Sequence, residues 1–310
     1  MIIYFSKINL DSVELLQMYK NKELLLEMKK AVASFLKSGI VYEVEQLCKD
    51  ESGETHLVNT KYRISVGAKT EEYISGVLYK TTHIYYKTLN ELTGKTESHT
   101  QPTVEDIRFY YDISREIVGF HTRNRFGYQE FNEAFKGILN SCMAANDLDY
   151  RFLLDLCTEG LAIEEIKDEL KKIKNIKKLE FLYKLPNPAD DYMLDNLNEQ
   201  LKDMVEELEE SNANTMSVVF DSNGNVRRTG LNLDSPQIQK NFDRVASFTK
   251  GINSSDATKN GYIRIQATGR DGKKYTTDEE KPIKREVTDD SEDNFFFACR
   301  DTIRNIIFRN

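Results

Sequence analysis

Several features that define other protein classes are missing from this 310-residue chain. No stretch approaches the roughly 18 consecutive apolar residues of a membrane-spanning helix, and the N-terminus lacks the basic-then-apolar pattern of a signal peptide. These absences predict a cytoplasmic protein with no membrane contact. The net charge of −8, from 43 basic and 51 acidic residues, excludes a uniformly basic nucleic-acid coat protein but allows a local basic patch.

Cysteine is also scarce. Cys48, Cys142, Cys157 and Cys299 lie far apart and form no C-x-x-C pair, which favours reduced, packed thiols over a disulfide framework or a zinc site. All four histidines fall in the first half, but none has another histidine two or four residues away. The sequence therefore predicts no metal site and no cofactor.

The common catalytic signatures are absent as well, among them GxGxxG, HExxH and GxSxG. Gly94-Lys95-Thr96 resembles the end of a phosphate-binding Walker A loop. That motif also needs a glycine five residues before Gly94, where this chain has Leu89. We expect these residues to lie in a solvated loop.

The first half has the pattern of a mainly antiparallel sheet with two helices. Hydrophobic spacing predicts a strand over residues 2–8 and one long helix over about 12–37, ended by Gly39 in a left-handed conformation. Alternating and β-branched residues predict a hairpin of residues 40–48 and 55–66, a strand over 73–89, a loop over 90–103 and a hairpin of 106–111 and 116–121. Helical spacing from Phe131 to Cys142 predicts the closing helix.

The second half alternates strands and helices. Strands are predicted over residues 151–157, 178–185 and 215–220, with hairpins at Asn223-Gly224 and Asp271-Gly272 and a terminal helix over 296–308. A polar stretch separates the halves, so we predict an α+β protein with an antiparallel domain over residues 1–147 and a mixed α/β domain with several helices over 148–310.

An acidic amphipathic helix is predicted over residues 191–210. Its apolar positions step by three or four residues; they are Leu194, Leu197, Leu201, Met204 and Leu208. Such a narrow apolar seam either packs against the sheet of the second half or joins two copies of the chain as a homo-oligomer.

The most informative side chains are aromatic and basic residues of the first half. Strand alternation places four of them on one face: Tyr79, His83, Tyr85 and Lys87. The next segments add Arg108, Tyr110, Arg123 and Arg125. Aromatic rings stack on bases and cations neutralise phosphates, so this set predicts a nucleic-acid-binding sheet face. The alternative is an ordinary solvated face, on which these residue types are common.

Two other functions stay open. A metal-dependent nuclease would need two or three carboxylates and a lysine around one cation. The candidate sets are Asp106, Asp112 and Glu116 near the second hairpin, or Asp155 with Glu165 and Lys167, although the last two fall on a predicted helix. The other is a protein-interaction module without catalysis, assembled through the acidic helix.

Three segments resemble an uncharacterised group of prokaryotic proteins. They are the run Tyr73-Ile74-Ser75-Gly76-Val77-Leu78-Tyr79-Lys80, the hairpin over residues 107–121, and residues 179–188 with the ending Pro186-Asn187-Pro188. Members of this group are similar in length and are often encoded beside phage-defence genes. The resemblance implies a bacterial protein with a role in defence, and it transfers no catalytic residue to this chain.

Overall fold

The computed structural model describes residues 1–12, 14–49, 55–185, 187, 199–222, 229–248, 261–279, 281–288 and 291–307. Twelve strands and seven α-helices occur within these ranges, and their mainly antiparallel pairing confirms the α+β class. The chain forms two compact units. The first contains Met1–Ile3, Lys29–Asp149 and Glu286–Asn310, and the second contains Tyr4–Met28 and Tyr150–Arg285. The chain passes from the first unit to the second after Asp149, close to the predicted domain boundary at residue 147. Each unit, however, contains more than one segment of the chain.

Five antiparallel strands form the sheet of the first unit, in the order β6-β5-β4-β3-β2. They are β2 (Val41–Lys49), β3 (Thr55–Lys69), β4 (Tyr73–Asn90), β5 (Lys95–Asp112) and β6 (Ile117–His121). Both predicted hairpins are confirmed, because β2 pairs with β3 and β5 pairs with β6.

The predicted loop over residues 90–103 is wrong for most of its length. Residues 95–103 belong to β5, which pairs with β4 without interruption from Tyr73↔Asp112 to Asn90↔Lys95. Gly94, at a φ of +66°, closes the turn between these strands, a conformation that glycine adopts without steric cost. Since β3 pairs with β4 only as far as Lys61↔Thr81, residues 82–103 extend beyond the sheet as a two-stranded ribbon.

One face of this sheet is covered by α3 (Tyr128–Ala144). Phe120 stacks on Phe131 with ring centroids 3.8 Å apart, and Phe109 meets Phe135 edge-on at 5.2 Å. Helix and strand approach closely at Gly137, where a Cβ atom would lie 2.4 Å from the Tyr42 ring. The core of the first unit therefore lies between α3 and this face.

The opposite face is packed at one end and exposed elsewhere. At the β5–β6 end, α7 (Glu292–Thr302) covers it, with Phe296 6.3 Å from Tyr110 and Phe295 6.2 Å from His121 between ring centroids. Away from that end, side chains of β3, β4 and β5 are exposed or half-buried. We call this part the open face; it includes Lys61, Arg63, Tyr79, Thr81, His83, Val104 and Asp106.

The helix predicted over residues 12–37 is two helices. After β1 (Ile2–Leu10), α1 (Glu14–Lys20) ends and α2 (Lys22–Phe35) begins on either side of Asn21. The Asn21 side chain accepts a hydrogen bond from the Glu23 N–H at 3.0 Å, so it caps the second helix. Gly39 follows α2 with a φ of +91°, which confirms the predicted left-handed glycine.

The second unit has a four-stranded sheet in the order β11-β10-β8-β9. Its strands are β8 (Ile176–Lys184), β9 (Thr215–Asp221), β10 (Ile263–Gly269) and β11 (Lys274–Thr276), while β7 (Phe152–Leu156) pairs with β1. The pairs within the four-stranded sheet are all antiparallel, although α5 (Glu199–Glu210) lies between β8 and β9 in the chain. The hairpin at Asp271-Gly272 is confirmed, and the one at Asn223-Gly224 lies outside the described residues.

Helices α4 (Ile163–Lys171) and α6 (Pro236–Phe248) complete this unit. Met204 and Leu208 of α5 are buried, and Phe242 of α6 meets Phe181 of β8 edge-on at 5.1 Å between ring centroids. The described part of the predicted leucine seam thus packs inside its own unit, whereas Leu194, Leu197 and the Leu201 side chain lie outside the described residues. The chain continues through β12 (Lys284–Glu286) to α7, which runs into a π-helical turn over Ile303–Ile307.

Candidate nucleic-acid interface

Strand register brings three side chains of the first unit into a line across the open face, and a fourth extends that line. Arg63 of β3 pairs directly with Tyr79 of β4, and Tyr79 pairs directly with Asp106 of β5. Directly paired residues point to the same side of a sheet, with Cβ atoms about 5 Å apart. Arg123 extends the line, since its Nη2 lies 3.9 Å from Asp106 Oδ2 and its Nε donates to the Asp106 carbonyl at 3.4 Å. We call these four residues the cross-strand row.

The cross-strand row is accessible from solvent. Tyr79 is 36% exposed, Arg63 is exposed, and the side chains of Asp106 and Arg123 are 48% and 51% exposed. Within the described part of the chain, the Arg63 guanidinium has no ion-pair partner and no other ring contacts Tyr79. An arginine and an aromatic ring therefore stand side by side, both available to a ligand.

An open groove of about 530 Å³ runs beside Tyr79, a volume within the range of small-ligand sites. Its walls include Ser38, Lys61, Arg63 and Thr81. The Lys61 ammonium lies 2.7 Å from a carboxylate oxygen of Glu43 on β2, and its hydrogen bond lowers the pKa of Glu43. Lys61 is thus partly neutralised within the protein, and Arg63 is the stronger candidate for contact with an anion.

The other predicted residues of β4 lie farther along the ribbon. His83 and Lys87 are exposed, on the same face as Tyr79 by strand alternation. Tyr85 occupies the expected position, paired with Thr100 in the backbone ladder, but its side chain lies outside the described residues. The predicted alternation therefore agrees with the strand that the structure shows.

Arg108 and Tyr110 are at the packed end of the same face. Arg108 is half-buried, whereas Tyr110 is only 4% exposed and stacks on Tyr73 with ring centroids 5.4 Å apart. Burial raises the pKa of Tyr110 to about 12. Because α7 covers this end of the sheet, Tyr110 belongs to the core and cannot stack on a base.

The turn that carries Arg123 and Arg125 is anchored from beneath. Lys80 is 9% exposed, and its Nζ donates to the Arg125 carbonyl at 2.6 Å and to Glu130 Oε2 at 2.9 Å. Tyr62 donates to Glu130 Oε1 at 2.6 Å. The pKa of Tyr62 is raised well above its ordinary value, mainly by burial and secondly by this hydrogen bond. This buried network fixes the turn next to the open face, while the Arg125 side chain stays exposed.

Sequence reasoning missed Arg63 and the role of Asp106 beside Tyr79. Alternation in β3 indicates that Arg63 shares the polar face, since Tyr62 and Ile64 are buried on the other side. The identity of its cross-strand neighbour depends on the register of three strands, which no single segment encodes. The pairing of β3 with β4 and of β4 with β5 is the signal that would have placed Arg63 and Asp106 beside Tyr79.

The first set of candidate nuclease residues does not assemble around a cation site. Asp112 is buried and accepts hydrogen bonds from the Arg115 N–H at 2.9 Å and from Arg115 Nη1 at 3.2 Å. Glu116 lies 3.5 Å from the Lys29 ammonium, and Asp106 belongs to the cross-strand row. Asp112 and Glu116 are thus paired with protein cations, and the three carboxylates form no metal-holding group.

The second set is also dispersed. Asp155 accepts hydrogen bonds from Asn9 at 2.7 Å and from Lys184 at 3.1 Å, with Arg264 at 3.8 Å. Glu165 instead accepts from the Ala162 N–H at 2.8 Å at the start of α4, and Lys167 donates to Gln239 at 3.1 Å. Across the described ranges, no group of three or more histidine, cysteine, aspartate or glutamate side chains is placed to hold a metal ion.

The side chains of Cys142, Cys157 and Cys299 are buried and form no disulfide with one another; burial raises the pKa of the Cys299 thiol well above its ordinary value. No helix in the described part of the chain is both long and apolar enough to cross a bilayer.

Comparison with known proteins gives one result. No curated protein and no solved structure matches the chain. A family model described as a domain of unknown function, DUF4747, matches residues 49–304. The match spans most of the chain and includes all four residues of the cross-strand row, so the protein belongs to this uncharacterised family, DUF4747.

Proposed function

We propose that the protein recognises nucleic acid through the open face of its first unit, with the cross-strand row at the centre of the site. The observation that carries the proposal is the exposed ring of Tyr79 directly opposite Arg63, whose guanidinium has no ion-pair partner among the described residues. An exposed aromatic ring stacks on a base, and a neighbouring arginine binds the phosphate of the same strand. An enzymatic function has no comparable support, because neither set of candidate carboxylates forms a metal-holding group within the described residues.

The electrostatic part of this binding is small. Arg63 and Arg123 are the cations of the row, and the net charge of −8 works against nucleic acid at long range. Each neutralised phosphate of a single strand contributes a salt slope of about −0.7. Two contacts give about −1.4, so the affinity falls roughly sevenfold between about 50 and 200 mM salt.

The resemblance to proteins encoded beside phage-defence genes supports a biological setting for this activity. We propose that the protein acts in the bacterial cytoplasm as a defence component that detects nucleic acid. In a plaque assay, a strain carrying the wild-type protein should resist infection, and a strain carrying Tyr79→Ala should lose that resistance. Equal resistance in both strains would show that any role in defence does not depend on Tyr79 of the open face.

The binding test uses fluorescence anisotropy with labelled single-stranded DNA, single-stranded RNA and duplex DNA at low salt. Stacking on an aromatic side chain is worth about 1–3 kcal/mol per base, so Tyr79→Ala should weaken single-strand binding by roughly fivefold or more. Tyr79→Phe keeps the ring and should bind like the wild type. Arg63→Gln should weaken binding and reduce the magnitude of the salt slope by about 0.7.

Lys273→Gln is the matched control for charge. Lys273 is exposed in the turn between β10 and β11, in the second unit, so this substitution removes one positive charge away from the open face. Its affinity should equal that of the wild type. The proposal fails if the wild type binds none of the probes at low salt, or if Lys273→Gln loses as much affinity as Arg63→Gln.

A further inference from the structure

Asp106 is the unexpected member of the cross-strand row. A carboxylate between Tyr79 and Arg123 repels phosphate, and so opposes the general binding that the arginines favour. Its one ion-pair contact in the row, to Arg123 Nη2, is 3.9 Å long and joins side chains that are each about half exposed. Exposed pairs of this kind contribute about 1 kcal/mol at most. The Asp106 carboxylate therefore retains acceptor capacity toward a ligand.

The position of Asp106 suits the edge of a stacked base. It pairs directly with Tyr79, so its Cβ lies about 5 Å from that of the tyrosine on the same side of the sheet. A base lying on the Tyr79 ring presents its hydrogen-bonding edge toward one of the flanking strands. On the β5 side, the residue paired with Tyr79 is Asp106, so its carboxylate is the group that such an edge would meet.

A carboxylate discriminates among bases because it only accepts hydrogen bonds. The exocyclic amino group of cytosine donates to aspartate or glutamate. Thymine and uracil carry a carbonyl oxygen at the corresponding position, and their one donor on this edge, N3–H, lies between two carbonyl oxygens that a carboxylate repels. Cytosine and thymine have similar ring areas, so stacking on Tyr79 affects both about equally.

We propose that Asp106 is a specificity-determining residue, and that the site binds unpaired bases with an exocyclic amino group in preference to thymine or uracil. This inference rests on the proposed nucleic-acid function. The ligand is single-stranded, since a base reaches an aromatic ring and exposes its pairing edge only when it is unpaired and unstacked. Arg63 and Arg123 lie on either side of the stacked base and bind the flanking phosphates.

Anisotropy titrations with oligo(dC) and oligo(dT) of equal length test the inference. The wild type should bind oligo(dC) roughly tenfold more tightly, the effect of one hydrogen bond to a charged group. Asp106→Asn should abolish this preference, because an amide both donates and accepts. Affinity for oligo(dT) should rise in this variant, since the repulsive charge is removed, and affinity for oligo(dC) should fall.

Glu45→Gln is the matched control. Glu45 is exposed on β2, on the same side of the sheet but two strands from Tyr79, so its loss removes the same charge without touching the row. This variant should keep the wild-type preference for oligo(dC). The fold of both variants is checked by circular dichroism. Because the Asp106 side chain is about half exposed, we expect Asp106→Asn to fold normally.

The outcomes separate the inference from the function on which it rests. Equal wild-type binding of the two oligonucleotides overturns the role of Asp106 and leaves nucleic-acid recognition standing. A preference that persists in Asp106→Asn, or disappears in Glu45→Gln, also overturns that role. If neither oligonucleotide binds, the proposed function and the inference fall together.

Discussion

The substitution Glu130→Gln tests whether the buried network beneath the open face stabilises the first unit. Lys80 is 9% exposed and contacts both oxygens of Glu130, at 2.8 and 2.9 Å. Tyr62 donates to the same carboxylate at 2.6 Å, and the Lys80 ammonium lies 5.6 Å from the centroid of the Phe126 ring. The glutamine keeps the shape of the side chain but removes its charge, so a nearly buried ammonium loses its counter-ion.

The expected loss of stability in Glu130→Gln depends on how far the Lys80–Glu130 ion pair is buried. Removing one partner of a fully buried ion pair costs about 3–5 kcal/mol, because the remaining charge is left uncompensated. The Glu130 side chain is 34% exposed, so water screens part of the interaction. The Lys80 ammonium also keeps its hydrogen bond to the Arg125 carbonyl. We therefore expect Glu130→Gln to lower the free energy of unfolding by about 2 kcal/mol, measured by urea denaturation.

Glu133→Gln provides the control on the same helix. Glu133 is 70% exposed and pairs with Lys136 three residues later, an arrangement worth less than about 0.5 kcal/mol. The double variant Lys80→Met/Glu130→Gln should be less destabilised than the sum of its single variants by at least about 1 kcal/mol, since it leaves no unpaired charge. Equal effects of Glu130→Gln and Glu133→Gln, or strict additivity in the double variant, would refute the reasoning.

Two further predictions concern stability. His121 is buried, and its Nε2 accepts a hydrogen bond from the Arg108 N–H at 3.0 Å; burial lowers its pKa from 6.5 to about 4. The unfolded chain therefore takes up a proton as pH falls below about 6.5 while the folded one does not, so stability falls by about 2 kcal/mol between pH 7.5 and 5. In urea unfolding, His121→Gln should be less sensitive to pH; equal sensitivity would contradict this. Asp155→Ala leaves Lys184, whose side chain is 15% exposed, without its nearest carboxylate and should lower stability by about 2–3 kcal/mol; an unchanged urea midpoint would show that the pair contributes nothing.

Local sequence patterns were sufficient to predict most strands and helices. They failed where a polar segment becomes a strand only because it pairs with a neighbouring strand. The two predicted hairpins of the first unit, β2–β3 and β5–β6, follow from alternation and turn residues. Residues 95–103 carry no apolar alternation, so they indicate a loop, yet they form a strand because β4 offers a complete backbone ladder. The division of the first long helix at Asn21 has a local cause, a side-chain cap, that competes with helical periodicity.

The candidate site could be predicted only in part, and for the same physical reason. Alternation places Tyr79, His83 and Lys87 on one face, and the structure agrees for these side chains. Tyr110 obeys the same alternation but is covered by Phe296 of α7, which lies 186 residues later in the sequence and is connected to it by no local pattern. Burial of a sheet face depends on what packs on it, and that information is non-local.

The charges on the open face determine what kind of recognition it can perform. If the face had been built for affinity alone, Asp106 and Glu43 would be unfavourable, since each offsets a cation that could otherwise bind phosphate. In the proposed nucleic-acid complex, Arg63 and Arg123 supply about two phosphate contacts, so base-dependent contacts must supply much of the remaining binding energy. Stacking on Tyr79 is tolerant of sequence, because every base has a π-face. Discrimination among bases then has to come from a hydrogen-bonding group beside that ring, and in the cross-strand row this group is Asp106.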